Sequence, residues 1–259
     1  MKSKHSITSV ILSLALALSL CLGLTACGSD GAGDAGSSGD GEAAYTVGIC
    51  QLVQHEALDA ATQGFIDALN EALPGQVKFE NKNASGDSVN CSTIVNGFVS
   101  ENVDLIMANA TGALTAAASA TKDIPILGTS ITAYGVALDI DDFSGTVGGN
   151  ISGTSDLADL SKQADMITEW FPETKTVGLL FCSGEPNSRY QIEEVAKCLA
   201  AKGIETKEFA FTDTNDVSSV TQAAADYSDV VYIPTDNTAA SNTEAIANIL
   251  VPAGVPAIA

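Results

Sequence analysis

The chain is poor in positive charge. Eleven lysines and arginines stand against 32 acids in 259 residues, a net charge of −21. No cluster or stripe of Lys and Arg interrupts the acids, which excludes the electrostatic footprint of a nucleic-acid binder. The acidic balance itself argues only for solubility. Aromatic residues are few, while Ala and Gly are plentiful, which suits close packing of helices on a sheet. None of the six cysteines stands in a CxxC or Cys/His spacing, so no metal or other cofactor is expected. The GxSxG, P-loop and HExxH motifs are absent. His55 and Cys182 are the residue types of a thiol–imidazole pair, but nothing at a recognisable spacing orients them. No enzymatic activity is expected.

The N-terminus reads as targeting, not fold. Lys2, Lys4 and His5 form a short polar region, Ile7 to Leu24 is an apolar run, and Leu24-Thr25-Ala26-Cys27 closes it with small residues before a cysteine. This is the form of a secretory signal over residues 1–26. It resembles the bacterial lipoprotein signal, in which the cysteine, here Cys27, becomes the lipid-bearing first residue. Gly, Ser and Asp follow directly, without the basic group of a stop-transfer segment, which argues against an uncleaved membrane helix. Residues 27–44 have almost nothing to bury and read as a flexible acidic linker, with a reach of roughly 20–25 Å. Four cysteines remain in the body: Cys50, Cys91, Cys182 and Cys198. They read as free thiols. The pair best placed for a bridge is Cys50 and Cys91, one ending the first strand and the other near the start of the second helix.

From Tyr45 onward, strands and helices alternate. Strands are expected at 45–50, 77–81, 104–108 and 125–128, with an edge pairing at 136–138. Helices are expected at 56–72, from Asp87 or Ser88 to Val99, and at 111–120. The pattern then restarts. A helix is expected over 155–171, with Leu157, Leu160, Ala164, Ile167 and Trp170 on its buried face. Strands follow at 176–182, 204–211, 230–233 and 256–259. Helices follow at 187–202, from Asn215 or Asp216 to Ala225, and at 238–250. Apolar strands of this kind are those of a buried parallel sheet.

The two halves overlay. Val47-Gly48 matches Val177-Gly178 at an offset of 130, Asp104 matches Asp229 at 125, and Ile124-Pro125 matches Val255-Pro256 at 131. The fold expected is therefore α/β: two doubly wound parallel-sheet lobes, over 45–150 and 151–259, with a cleft between them. Gly148-Gly149-Asn150-Ile151-Ser152-Gly153 reads as the hinge crossing. The polar loop Gly128 to Thr132 after the fourth strand has no counterpart in the second half, where Ala259 falls inside the equivalent strand. The second lobe is therefore expected to be incomplete, in a chain truncated at its C-terminus. In open α/β sheets ligands sit at the carboxyl ends of strands, against helix N-termini. Thr235, Asp236 and Asn237 occupy that place in the second half, and Asn109 to Thr111 in the first.

Several stretches carry a family likeness: Val47 to Ala60, Asn83 to Asp87, Gly148 to Gly153, Ser183 to Ser188, and Tyr232 to Thr238. Over residues 45–259 the chain resembles bacterial ABC-importer substrate-binding lipoproteins of the tryptophan/tyrosine type. The resemblance implies a type I periplasmic-binding-protein fold and a small-molecule ligand, best an aromatic or apolar amino acid, held between the lobes. It implies ABC permease and ATPase subunits as partners, and an extracytoplasmic place at the membrane through lipid on Cys27. Where that family usually has a Thr-Asp-Pro-like stretch after the fourth strand, this chain has Thr129-Ser130-Ile131-Thr132-Ala133-Tyr134, a departure that bears on ligand identity.

A zwitterionic ligand needs an acceptor for its ammonium and N–H donors for its carboxylate. Asp236 is the natural ammonium partner, although helix N-capping places the same residue type there. Asn187, Ser188 and Thr111 open helices, whose free N–H groups and positive dipole ends suit a carboxylate or need a cap. His55, Thr129, Ser183, Thr235 and Asn237 complete the expected ligand-binding set. Glu185 reads as a second polar contact or, in preference, a solvated loop charge. A sensory module that signals to a membrane receptor would use the same lobes and is the alternative reading.

Overall fold

The structure is a computed structural model that describes residues 43–259. The expected signal peptide, Cys27 and most of the linker lie outside the described residues. Among the described residues, no helix is long and apolar enough to cross a membrane.

The first sheet is built from β1 (Tyr45–Gln51), β2 (Val77–Asn83), β3 (Leu105–Asn109), β4 (Ile126–Ile131) and β5 (Ile151–Ser155). All its pairings are parallel, in the order β2-β1-β3-β4-β5. Its helices are α1 (Glu56–Ala72), α2 (Ser88–Glu101), α3 (Thr111–Ala120) and the short α4 (Tyr134–Ala137). Alternate residues of β1 face opposite sides, as the pleat requires. Val47 and Ile49, with Met107, meet Phe65, Ile66 and Leu69 of α1. Cys50 meets Val95 and Phe98 of α2 and Leu114 of α3 on the other side. Phe98 is wholly buried, which contributes roughly 1.5–3 kcal/mol.

The second sheet repeats this plan. It holds β6 (Thr176–Cys182), β7 (Glu205–Phe211), β8 (Val230–Tyr232) and β9 (Ala257–Ile258), all parallel, in the order β7-β6-β8-β9. On one face, α5 (Leu160–Trp170) and α6 (Pro186–Ala201) cover Val177, Leu179, Phe181 and Tyr232. On the other, α7 (Val217–Tyr227) and α9 (Thr243–Ala253) cover Leu180, Phe211 and Val231. The five-residue α8 (Asn237–Ser241) links β8 to α9. The anchors of the sequence overlay do the same work in both halves. Asp104 accepts from Thr46 N at 2.7 Å, and Asp229 accepts from Thr176 N at 2.8 Å, each tying the start of one central strand to the next. The Lys175 and Thr176 N–H groups hold the Asp229 carboxyl below its usual range. Pro125 O and Pro256 O each accept a strand N–H at 2.9 Å, from Ile106 and Val231.

Several expectations are corrected. Residues 136–138 pair with no strand. They belong to or follow α4, which Tyr134 pins by donating its hydroxyl to Gly128 O at 3.2 Å. The helix expected from Ser155 begins at Leu160, because Ser155 ends β5 and Asp159 caps the helix by accepting from Lys162 N. Trp170 lies 59% exposed at the end of α5, not in the core. The helix expected over 238–250 is two helices, α8 and α9, meeting at Asn242. The caps left open resolve to Asp87, which accepts from Val89 N, and to Asp216. Gly148 turns the chain at φ +77 into β5, which lies in the first sheet. The four cysteines of the described residues are free. Cys50 and Cys91 lie in the same buried core cluster, and the neighbouring Cys91 thiol, then burial, raise the Cys50 thiol.

Candidate functional site

The carboxyl ends of both sheets open onto one cleft. From the first half it is lined by Leu52 and Val53 after β1, by Ser85, Gly86, Asp87 and Ser88 at the start of α2, and by Gly112 in α3. From the second half come Cys182 to Asn187 without Ser183, the loop Thr212 to Asn215, and Thr238 and Ser241 of α8. The cavity holds about 540 Å³. Local bonding builds each wall. Ala84 N and Gly86 N donate to Gln51 O and Leu52 O, folding the 84–86 turn against the end of β1. The Asp216 carboxylate accepts from Thr212 N and Asp213 N and shapes the opposite loop.

Two features of the lining are chemically open. Helix α3 begins without a side-chain cap, from Ala110 at φ +83, so its first N–H groups have no side-chain acceptor. A non-glycine residue at positive φ carries strain, which concentrates at functional positions. Across the cleft, Asn187 is 2% exposed, and its Oδ1 has no hydrogen-bond partner. Its Nδ2 is engaged, donating to Thr235 O at 2.9 Å and to Glu185 Oε2 at 3.3 Å. Unpartnered buried acceptors are uncommon. The lining includes the carboxylates of Asp87, Glu185 and Asp213 and no Lys or Arg. Among the described residues, no group of three or more His, Cys, Asp or Glu side chains could hold a metal ion.

Glu185 is the residue the sequence reading misplaced. It is 6% exposed, not solvated. Its carboxylate accepts from Asn237 N and Nδ2 at 3.0 and 2.7 Å, from Thr238 N and Oγ1 at 2.8 Å each, and from Asn187 Nδ2. Asp236 lies beside it. One oxygen caps α8 by accepting from Ala239 N at 2.8 Å, and the other accepts from Cys182 N at 2.6 Å. Burial first, then the Glu185 charge, push the Asp236 carboxyl up to about 7, against the pull of those N–H groups and the Ser188 hydroxyl.

The remaining expected residues fall around this cluster. Ser188 is wholly buried behind Asn187. Thr111 is buried beside Gly112. Ser183 is exposed and donates Oγ to Phe211 O. Thr129 lies in β4, where its carbonyl accepts from Ala110 N. His55, Thr235, Asp236 and Asn237 line a second, mostly apolar cavity of about 340 Å³ with Ala57, Ile233, Pro234 and Ile246. The thiol–imidazole pairing does not form: Cys182 Sγ points to Thr212 O, and the His55 ring meets Asn237. Burial raises the Cys182 thiol, the reverse of nucleophile activation. The sequence reading missed the 85–88 and 212–215 walls, whose turn residues marked loops without saying that the loops converge.

Residues 46–259 match the family model described as ABC transporter substrate binding protein. A "Tyrosine-binding protein" of Clostridioides difficile (strain R20291) is 30% identical over 264 residues, spanning 100% of this chain and 75% of that protein. The solved structure of an ABC domain from Streptococcus pneumonia in complex with L-Trp is 31% identical, with a TM-score of 0.77, and the match covers 82% of this chain and 72% of that one. A ligand-free, open structure of a substrate binding protein with adhesive properties from Clostridium difficile is 33% identical, with a TM-score of 0.56, over 83% of this chain and 73% of that one. The paired parallel sheets are those of the type I periplasmic-binding-protein fold.

Proposed function

The chain belongs to the ABC transporter substrate-binding protein family, and we propose that its ligand is an aromatic or other apolar amino acid held in the cleft between the two sheets. The observation that carries this is the pairing of an uncapped helix N-terminus with an unpaired amide oxygen across one cavity. The α3 N–H groups at Thr111 and Gly112 suit the carboxylate of a zwitterion. Asn187 Oδ1 accepts from its ammonium. Glu185 holds the Asn187 amide so that its oxygen stays free. Thr235, Asp236 and Asn237 shape the neighbouring apolar cavity, which suits a side chain. Relatives named for tyrosine and solved with L-Trp support this ligand class. The higher TM-score to the L-Trp complex than to the open structure, at similar identity, supports a closed arrangement of the lobes.

In this reading the protein works outside the cytoplasm and passes its ligand to an ABC permease and ATPase, anchored through lipid on Cys27. Isothermal titration of the mature chain with L-tyrosine, L-tryptophan and L-leucine tests it. Saturable binding of at least one is expected. Asn187→Ala should weaken that binding roughly 10- to 100-fold, as loss of a hydrogen bond to a charged group predicts, while circular dichroism shows an intact fold. Absence of binding by all three amino acids sinks the proposal.

A further inference from the structure

We infer that His55, at the edge of the apolar cavity, is a latch between the two lobes, closing the cleft through Asn237 and Glu185. The inference rests on the binding role proposed for the cleft. His55 sits just before α1, and its Nε2 lies 3.4 Å from Asn237 Oδ1. Among the described residues, this is the one hydrogen bond that joins residues 45–155 to residues 160–259; the other cross-lobe contact is packing, as of α4 on α6.

The direction of the bond follows from its neighbours. Asn237 Nδ2 donates to Glu185 Oε2 at 2.7 Å, and a carboxylate only accepts. The Asn237 amide is thereby oriented, with its oxygen toward His55. Nε2 must therefore carry the hydrogen, in the neutral ring as in the charged one. The same Glu185 Oε2 also accepts from Asn187 Nδ2. One carboxylate oxygen thus orients both the amide that carries the free cleft acceptor and the amide that receives the latch. Glu185 is itself fixed by Thr238 N and Oγ1, so neither amide turns independently. A ligand seated on Asn187 steadies the arrangement that His55 engages, which couples occupancy to closure.

The test compares full-length mature protein with its His55→Ala and His55→Gln forms. Glutamine keeps an N–H donor on a side chain of similar reach. Stopped-flow dissociation of L-tyrosine or L-tryptophan should be roughly 3- to 10-fold faster in H55A, in line with loss of one hydrogen bond, and largely restored in H55Q. Without ligand, small-angle scattering should give a larger radius of gyration for H55A than for the parent or H55Q. Equal dissociation rates in parent and H55A overturn the latch, as do H55A and H55Q impaired alike. If the parent binds none of L-tyrosine, L-tryptophan and L-leucine, the ligand proposal has failed, and the scattering comparison alone decides: an H55A radius equal to the parent's then overturns the latch.

Discussion

At the scale of single residues, the buried pair of Glu185 and Asp236 sets the chemistry of the second lobe's rim. Burial and the Glu185 charge raise the Asp236 carboxyl to about 7, while an aspartate in the unfolded chain titrates near 4. The folded state therefore binds this proton more tightly. The stability Asp236 contributes is full below about pH 4 and is lost as pH rises toward about 7. Asparagine does not titrate. The difference in Tm between Asp236→Asn and the parent should therefore shift in the variant's favour as pH rises from 5 to 8. A constant difference over that range would show that Asp236 stays ionised throughout. The sequence places Asp236 correctly at a strand end, because an apolar run stopping at Pro234 is a local signal. It does not reveal the carboxylate facing it, because Glu185 and Asn237 lie far apart along the chain and meet only through the sheet.

At the scale of elements, the strands are the most legible part. A strand buried on both faces must be an unbroken apolar run, and Thr176–Cys182 is found as read. Elements at the surface are less so. Trp170 follows helical spacing yet lies beyond the last turn that packs, and only the packing partner could have said so. The α8–α9 break at Asn242 hides inside a run of good helix formers. Glycines test the packing of one helix on one strand. A Cβ on Gly48 of β1 would lie 2.6 Å from the Phe98 ring, whereas one on Gly97 of the same helix meets nothing within 4 Å. Gly48→Ala should therefore destabilise by about 1–3 kcal/mol through overpacking. Gly97→Ala should stabilise by about 0.5–1 kcal/mol through helix propensity. Urea titration of both variants checks the pair, and a harmless Gly48→Ala would mean that α2 does not press on β1 as described.

At the scale of the whole molecule, the internal repeat is what the sequence discloses best. A duplicated strand order leaves matched anchors, and Asp104 and Asp229 still clamp equivalent strands. The cleft is less legible than the repeat, since it depends on how two similar halves face each other. The chain's relation to the membrane is a separate matter of charge. With a net charge of −21 over the whole chain and no cluster of Lys and Arg, the protein has no attraction to an anionic lipid surface, which recruits such clusters. Among the described residues, no helix supplies a span either. The anchor proposed above, a lipid on Cys27, can be tested directly. Cys27→Ser should move the protein from the membrane pellet to the soluble fraction and abolish incorporation of labelled fatty acid. The folded body should keep its Tm and its affinity for the ligand. A Cys27→Ser protein still found in the pellet would show that another part of the chain, or a partner in the membrane, holds it there.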